Sequence, residues 1–306
     1  MKAIRFSQVG GPKVLKFEDI ELPPPGPDQV RVRHTAIGVN FIDTYHRSGL
    51  YKLPLPSGLG SEAAGVVDAL GDGVTTLKVG DRVAYAGTLG AYAEANNVSA
   101  DKLVKLPEKV SDEIAAAALL KGMTVQYLLK RTYPVQRGQT ILFHAAAGGV
   151  GLIAGQWANH LGVTVIGTVG SDEKVAFAKS NGYTHVLNMR SEDWVKRARE
   201  ITNGEGVTVV YDSIGKDTWS GSLDCLAVRG MMVSFGNASG AVPAFEPSIL
   251  VAKGSLYVTR PGLLHYTRNA QELSGNRGRS VLGHQIRRGE NSDPPAFQTR
   301  RCRKGT

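Results

Sequence analysis

The chain has 306 residues, 42% of them hydrophobic, with 36 Lys and Arg against 27 Asp and Glu and a formal net charge of +9. This is enough to bury a large core, and the length suits two domains. No apolar run approaches the roughly 18 residues of a membrane span, and no secretory signal precedes the strand-like Met1-Lys-Ala-Ile-Arg-Phe6. The only cysteines, Cys225 and Cys302, lie far apart, which argues against a disulfide framework and a structural zinc site. A cytoplasmic protein is expected.

From the first residue to about Lys105 the text is rich in short strands and glycine turns. Residues 1–6, the alternating Gln29–Gly38 and the stretch Ala63–Leu70 are strand candidates, and the proline cluster Pro23-Pro24-Pro25-Gly26-Pro27 reads as a turn between early strands. Such a series predicts a barrel-like β domain. The pattern changes near Ser111. An alanine-rich helix is expected over Asp112–Leu120 and a second helical piece over Thr124–Lys130, with the domain boundary at about residue 120.

The second half opens on Thr140-Ile-Leu-Phe-His-Ala-Ala-Ala-Gly-Gly-Val-Gly151, an apolar strand running into a glycine turn and a helix. Gly148 and Gly149 let backbone N–H groups approach phosphate oxygens, and Gly151 lets the helix pack closely on the strand. Ala146 stands where a G-x-G-x-x-G fingerprint has its first glycine, so the meaning of the turn rests on the elements after it. An apolar-periodic helix to Leu161, a stop at Gly162 and a strand over Val163–Val169 complete a β-α-β unit. Further strands are expected around 186, 208, 231 and 256, which requires a parallel sheet covered on both faces.

The end of the second strand in that unit sets cofactor choice. An NAD site places a carboxylate there for the ribose 2′-OH, whereas Val169 and Gly170 offer none. Ser171 and Lys174 come next, able to bond a 2′-phosphate, so NADPH is the expected cofactor; the alternative for Lys174 is a solvated helix position. At later strand ends, Ser213, Phe235, Gly236 and Asn237 either touch the nicotinamide half or serve as ordinary turn residues.

Several motifs together carry a resemblance. Ala36-Ile-Gly-Val-Asn-Phe-Ile-Asp-Thr-Tyr45, Arg47-Ser-Gly-Leu-Tyr51, Gly58-Leu-Gly-Ser-Glu-Ala-Ala-Gly65, Gly80-Asp-Arg-Val83, Leu120-Lys-Gly-Met-Thr124 and the His144–Gly151 turn fall in the order and spacing of one family. The chain resembles the zinc-independent NADPH:quinone oxidoreductases, grouped with the zeta-crystallins in the medium-chain dehydrogenase/reductase superfamily. The similarity covers residues 1 to about 272.

The resemblance implies an α/β fold with a GroES-like β-barrel catalytic domain (1–120), a doubly wound Rossmann domain (121–258), a return to the catalytic domain (259–273) and a homodimer. Zinc-dependent relatives hold a cysteine and a histidine at the places of Asn40 and Ser61, whose amide and hydroxyl are poor ligands, so no metal is expected; Glu62 then serves packing or hydrogen bonding. Without a Lewis acid the acceptor must already be electrophilic, a quinone or activated enone. By matching positions, Asn40, Tyr45 and Tyr51 line the acceptor pocket. Phe41, Asp43, Tyr45, Thr124, Gly149, Val150, Gly170, Ser171, Lys174, Ser213, Phe235, Gly236, Asn237 and Arg260 contact NADPH. Where relatives read Val-Ile-Asn-Tyr, this chain has Val186-Leu-Asn-Met189 followed by Arg190. A second reading keeps NADPH binding but makes the protein a weakly active structural or RNA-binding factor.

The resemblance stops near Leu273. Residues 274–306 contain seven arginines and one lysine against Glu290 and Asp293, so six of the nine net charges sit there and the body is only mildly basic. That segment has little apolar periodicity and reads as a frameshifted or otherwise altered C-terminus. It would lack an arginine that the family places near the 2′-phosphate, and weaker NADPH binding would result.

Overall fold

The computed structural model describes residues 1–268 and Glu272, so the expectations for the basic C-terminal segment lie outside the described residues. The first half contains β1 (Lys2–Phe6), β2 (Lys16–Asp19), β3 (Gln29–Ile37), α1 (Phe41–Ser48), β4 (Ser57–Gly58), β5 (Glu62–Leu70), β6 (Arg82–Ala86), β7 (Ala95–Ser99) and β8 (Val104–Lys105). Two antiparallel sheets result, ordered β2-β1-β4 and β7-β3-β5-β6-β8. Alternation decides their faces: Val30 and Val32 are fully buried with Ala63, Val67, Val83, Tyr85 and Val98, while Arg31 and Arg33 turn away. At Gly65 a Cβ would lie 2.0 Å from the Arg33 carbonyl oxygen, so only glycine lets β5 approach β3 where the register shifts.

The two helical pieces expected after Ser111 are one helix, α2 (Asp112–Tyr127), which continues into a π-helical turn over Leu128–Thr132. Ser111 caps its start by accepting from the Ile114 N–H at 3.3 Å. Gly122 does not end it. A mid-helix glycine costs only about 1 kcal/mol, and α2 is buried between β3, β5 and β6 on one side and the next helix on the other, through Ala115, Ala116, Leu119, Met123 and Val125. This helix joins the two halves.

The second half alternates β9 (Thr140–Phe143), α3 (Gly149–His160), β10 (Thr164–Val169), α4 (Asp172–Lys179), β11 (His185–Asn188), α5 (Trp194–Ile201), β12 (Val207–Asp212), α6 (Trp219–Asp224), β13 (Leu226–Ser234), α7 (Ser248–Ala252) and β14 (Tyr257–Thr259). All six strands pair in parallel, in the order β11-β10-β9-β12-β13-β14. Ile141, Phe143, Val165, Val209, Tyr211 and Val233 pack on one face, and Leu142, Ile166, Leu187, Val210 and Met232 on the other. Strand order reverses between β9 and β12, and a doubly wound sheet opens its ligand crevice beyond the carboxyl ends of the strands at such a point. After β14 the chain runs back to the first half, where Lys102 Nζ donates to the carbonyls of Thr267 (3.3 Å) and Arg268 (3.0 Å).

Candidate active site in the cleft between the halves

The glycine turn occupies the switch point. Ala145, not Ala146, takes the left-handed conformation at φ +53°, and Gly148 leads into α3. A Cβ on Gly151 would stand 2.3 Å from the Ala145 carbonyl oxygen, so that glycine is needed for the tight turn itself. Beneath it, Tyr183 donates its hydroxyl to the Gly151 carbonyl at 2.7 Å and packs its ring against Gly155 and Gly167. The first-turn N–H groups of Gly149, Val150 and Gly151 have no carbonyl one turn earlier and point out of the helix end with its positive dipole. This cradle fits a dinucleotide pyrophosphate.

Gly170, Ser171 and Lys174 lie together at the carboxyl end of β10. Lys174 is exposed, and a Cβ on Gly170 would come 3.9 Å from Arg190 Nε, so the Arg190 side chain reaches the strand end where its direction could not be read from sequence. No carboxylate takes the place of Val169 or Gly170. Arg190 thus reaches a strand end without a carboxylate that suits a 2′-phosphate, and the exposed Lys174 follows in the first turns of α4.

Ser213, Phe235, Gly236 and Asn237 converge at the ends of β12 and β13. A Cβ on Gly236 would meet the Ser213 carbonyl oxygen at 2.5 Å, and the Phe235 ring lies 5.6 Å from that of Phe143. Asp212, fully buried, holds this end rigid. Its Oδ1 accepts from the N–H groups of Ile214 (2.8 Å) and Gly215 (3.0 Å), and its Oδ2 from the hydroxyls of Thr218 (2.7 Å) and Ser222 (2.8 Å). Because Ser222 gives its hydrogen to Asp212, it accepts from His144 Nε2 at 2.9 Å, and Thr168 donates to Nδ1 at 2.8 Å. Burial lowers the His144 pKa against the pull of Asp212, which keeps the ring neutral in this network.

From the first half, α1 carries an aromatic group into the cleft. Asn40 starts the helix, with Asp43 Oδ2 accepting its backbone N–H at 2.9 Å, and Gly49 ends it at φ +83°. The Tyr45 and Tyr51 rings lie 5.0 Å apart, with Phe41 5.4 Å from Tyr45. Tyr45 Oη accepts from the Asn237 N–H at 2.8 Å, and Tyr51 Oη accepts from Arg260 Nη2 at 2.7 Å. Arg260 is itself held by Ser234 Oγ (2.8 Å) and the Gly236 carbonyl (2.9 Å). Each phenol therefore accepts from the second half and keeps its own hydrogen to donate. Burial raises the Tyr45 pKa, so the hydroxyl stays neutral. Phe41, Thr44, Tyr45, Arg47, Leu50 and Asn237 line a cavity of about 640 Å³ at this mouth.

Three residues assigned to the site from sequence point elsewhere. Asn40, 7% exposed, does not offer its amide to the cleft: Nδ2 donates to Glu62 Oε2 at 2.8 Å and Oδ1 accepts from Lys121 Nζ at 2.9 Å. Asp43 turns inward to accept from the hydroxyls of Tyr92 (2.8 Å) and Ser61 (3.3 Å). Thr124 donates back to the Leu120 carbonyl at 2.8 Å. Lys121, a member of the Leu120-Lys-Gly-Met-Thr124 motif given no role from sequence, lies at the centre of this cluster. The cluster does not fit a zinc ion: the Asn40 oxygen is given to an ammonium, the Ser61 hydroxyl to Asp43, and Glu62 to three donors. Among the described residues no group of three His, Cys, Asp or Glu side chains could hold a metal.

Comparison with known proteins gives the family. Residues 26–108 match the family model of the alcohol dehydrogenase GroES-like domain, and residues 149–270 that of zinc-binding dehydrogenases. The chain is 57% identical over 274 residues to a quinone oxidoreductase of Pseudomonas aeruginosa, covering 89% of this chain and 84% of that one. It is 50% identical over 273 residues to a 2-haloacrylate reductase of a Burkholderia species, covering 86% and 82%. The crystal structure of Escherichia coli quinone oxidoreductase complexed with NADPH superposes with a TM-score of 0.91 at 52% identity, covering 92% of this chain and 87% of that chain.

Proposed function

Because the chain belongs to the quinone oxidoreductases of the medium-chain dehydrogenase/reductase superfamily, we propose that it reduces a quinone or activated enone with NADPH and without a metal. NADPH, when bound, supplies a hydride. The chain's own residues bind, orient and polarise. The amides at the start of α3 receive the pyrophosphate, Ser171, Lys174 and Arg190 face the 2′-phosphate, and Ser213, Phe235, Gly236 and Asn237 border the nicotinamide end.

The observation that carries the acceptor assignment is the pair of phenols. Tyr45 and Tyr51 are fixed by Asn237 and Arg260 as acceptors, so both O–H groups remain to donate to an oxygen that gains negative charge. Asn40 supports them from behind as the first residue before α1. Hydrogen-bond donors of this strength suit an acceptor that is already electrophilic, a quinone or activated enone.

We also read the protein as a cytoplasmic homodimer. The buried, free Cys225 suits a reducing compartment. Among the described residues β14 is the edge strand of the parallel sheet, and its Tyr257 and the α7 residue Val251 are exposed at 57% and 72%. Replacing both by aspartate is expected to give monomers in light scattering.

Steady-state oxidation of NADPH with naphthoquinone or phenanthrenequinone tests the activity, beside a salt-dependent RNA titration. Quinone-dependent turnover without RNA affinity is expected. RNA affinity without turnover overturns the enzyme reading.

A further inference from the structure

We propose that Lys121 is a positioning residue that supplies the fixed positive charge of the acceptor site. Its ammonium, bonded to Asn40 and Glu62, acts on the acceptor through space. This proposal rests on the quinone reductase reading of the same cleft.

Lys121 Nζ donates to Asn40 Oδ1 at 2.9 Å and to Glu62 Oε2 at 3.2 Å. The pair is not symmetric with respect to the cleft. The Glu62 side chain is completely buried, whereas 17% of the Lys121 side chain is exposed. Glu62 is sealed on its remaining sides by the Leu120 N–H at 2.7 Å, by Asn40 Nδ2 at 2.8 Å and by Gly38, where a Cβ would stand 2.5 Å from Oε2. The ion pair is thus a dipole with its negative end enclosed and its positive partner partly exposed.

The Lys121 stem also reaches the cofactor turn. A Cβ on Gly149 would lie 2.9 Å from both Cδ and Cε of Lys121, so the lysine spans from the Asn40 side chain to the first residue of α3. The positive end of the α3 dipole and the ammonium then border the same part of the cleft. Stability alone gives little reason for such a pair, since hydrophobic replacement of a buried ion pair is often neutral or favourable. A charge fixed before the reaction costs no reorganisation when negative charge develops on an acceptor oxygen, and that is the service a metal ion gives in related chemistry.

The test separates the charge from the packing. Lys121→Met alone leaves Glu62 buried without its cation, so its loss of stability is uninformative; the double variant Glu62→Gln with Lys121→Met removes both charges. We expect the double variant to recover the thermal midpoint and to keep NADPH affinity and quinone KM within about twofold, while kcat falls about tenfold or more. Lys121→Arg should restore kcat in large part. A double variant with wild-type kcat overturns the proposal, as does a parallel fall in thermal midpoint, NADPH affinity and kcat, which would make Lys121 a strut only. If the unaltered protein binds NADPH yet reduces no quinone, the underlying functional reading fails and this inference with it.

Discussion

The Tyr45 hydroxyl accepts a hydrogen bond from the backbone N–H of Asn237 at 2.8 Å, across 192 positions of sequence. This bond ties the helix that carries the aromatic pocket to the end of the parallel sheet, so the distance between acceptor and cofactor sites is set by a backbone amide and not by a flexible side chain. In Tyr45→Phe the amide loses this partner, at a cost of about 1 kcal/mol, and the pocket loses one donor. The variant should fold, with kcat/KM for quinone lowered about tenfold or more and NADPH affinity changed less, in stopped-flow and titration measurements.

On the proposed function, cofactor choice is expected to depend on Arg190, which reaches Gly170, and on Lys174. Replacing Arg190 or Lys174 by glutamine removes a charge-assisted contact to the 2′-phosphate, which contributes about 1.5 to 3 kcal/mol. Each variant should raise the dissociation constant for NADPH by about ten- to a hundredfold and leave NADH almost unaffected. Equal losses for both cofactors would show that these side chains do not read the phosphate.

Stability of the turn depends on space at Gly167. A Cβ there would come 2.5 Å from Tyr183 Cδ1 and 2.7 Å from the Ala146 methyl, both buried against the turn. Gly167→Ala is therefore expected to destabilise by about 1 to 3 kcal/mol in urea unfolding, and to weaken NADPH binding with it because Tyr183 supports the Gly151 carbonyl. A wild-type midpoint would mean that the ring moves aside freely.

Acid should destabilise the fold through His34. Its Nδ1–H donates to the Ala93 carbonyl at 2.7 Å, so Nε2 accepts from the Tyr85 hydroxyl at 3.0 Å, and protonation would set a second donor against that hydroxyl. Burial lowers the His34 pKa from its ordinary 6.5, and His144 is lowered in the same direction for the same leading reason. The unfolded chain then binds protons more readily than the fold, so this contribution is full above pH 6.5 and is lost as pH falls through the lower folded value. Thermal midpoints should drop as pH goes below 6.5, and His34→Gln should flatten that part of the profile.

Much of the site could be read in the sequence because its signals are local. The strand and turn from Thr140 to Gly151 need an apolar run and small residues at fixed spacing, and the lack of a carboxylate after Val169 is visible without a fold. The limits of α2 could not be read this way: Gly122 suggests a break on propensity, and burial on both sides of the helix outweighs it. The directions of Asn40, Asp43 and Thr124 were equally hidden, since residue type says what a side chain can bond and not which neighbour reaches it first.

The sequence by itself determined the two-part architecture, the dinucleotide turn and the absence of thiolate and imidazole at the two family metal positions. Only the tertiary structure decided that Lys121 takes the Asn40 oxygen, that Arg190 turns toward Gly170, and that Tyr45 and Tyr51 are fixed from across the cleft. Periodicity and turn chemistry act over a few residues, whereas these pairs, such as Lys121 with Asn40 at 81 positions and Arg260 with Tyr51 at 209, exist only because packing α2 against both halves brings them within hydrogen-bond distance.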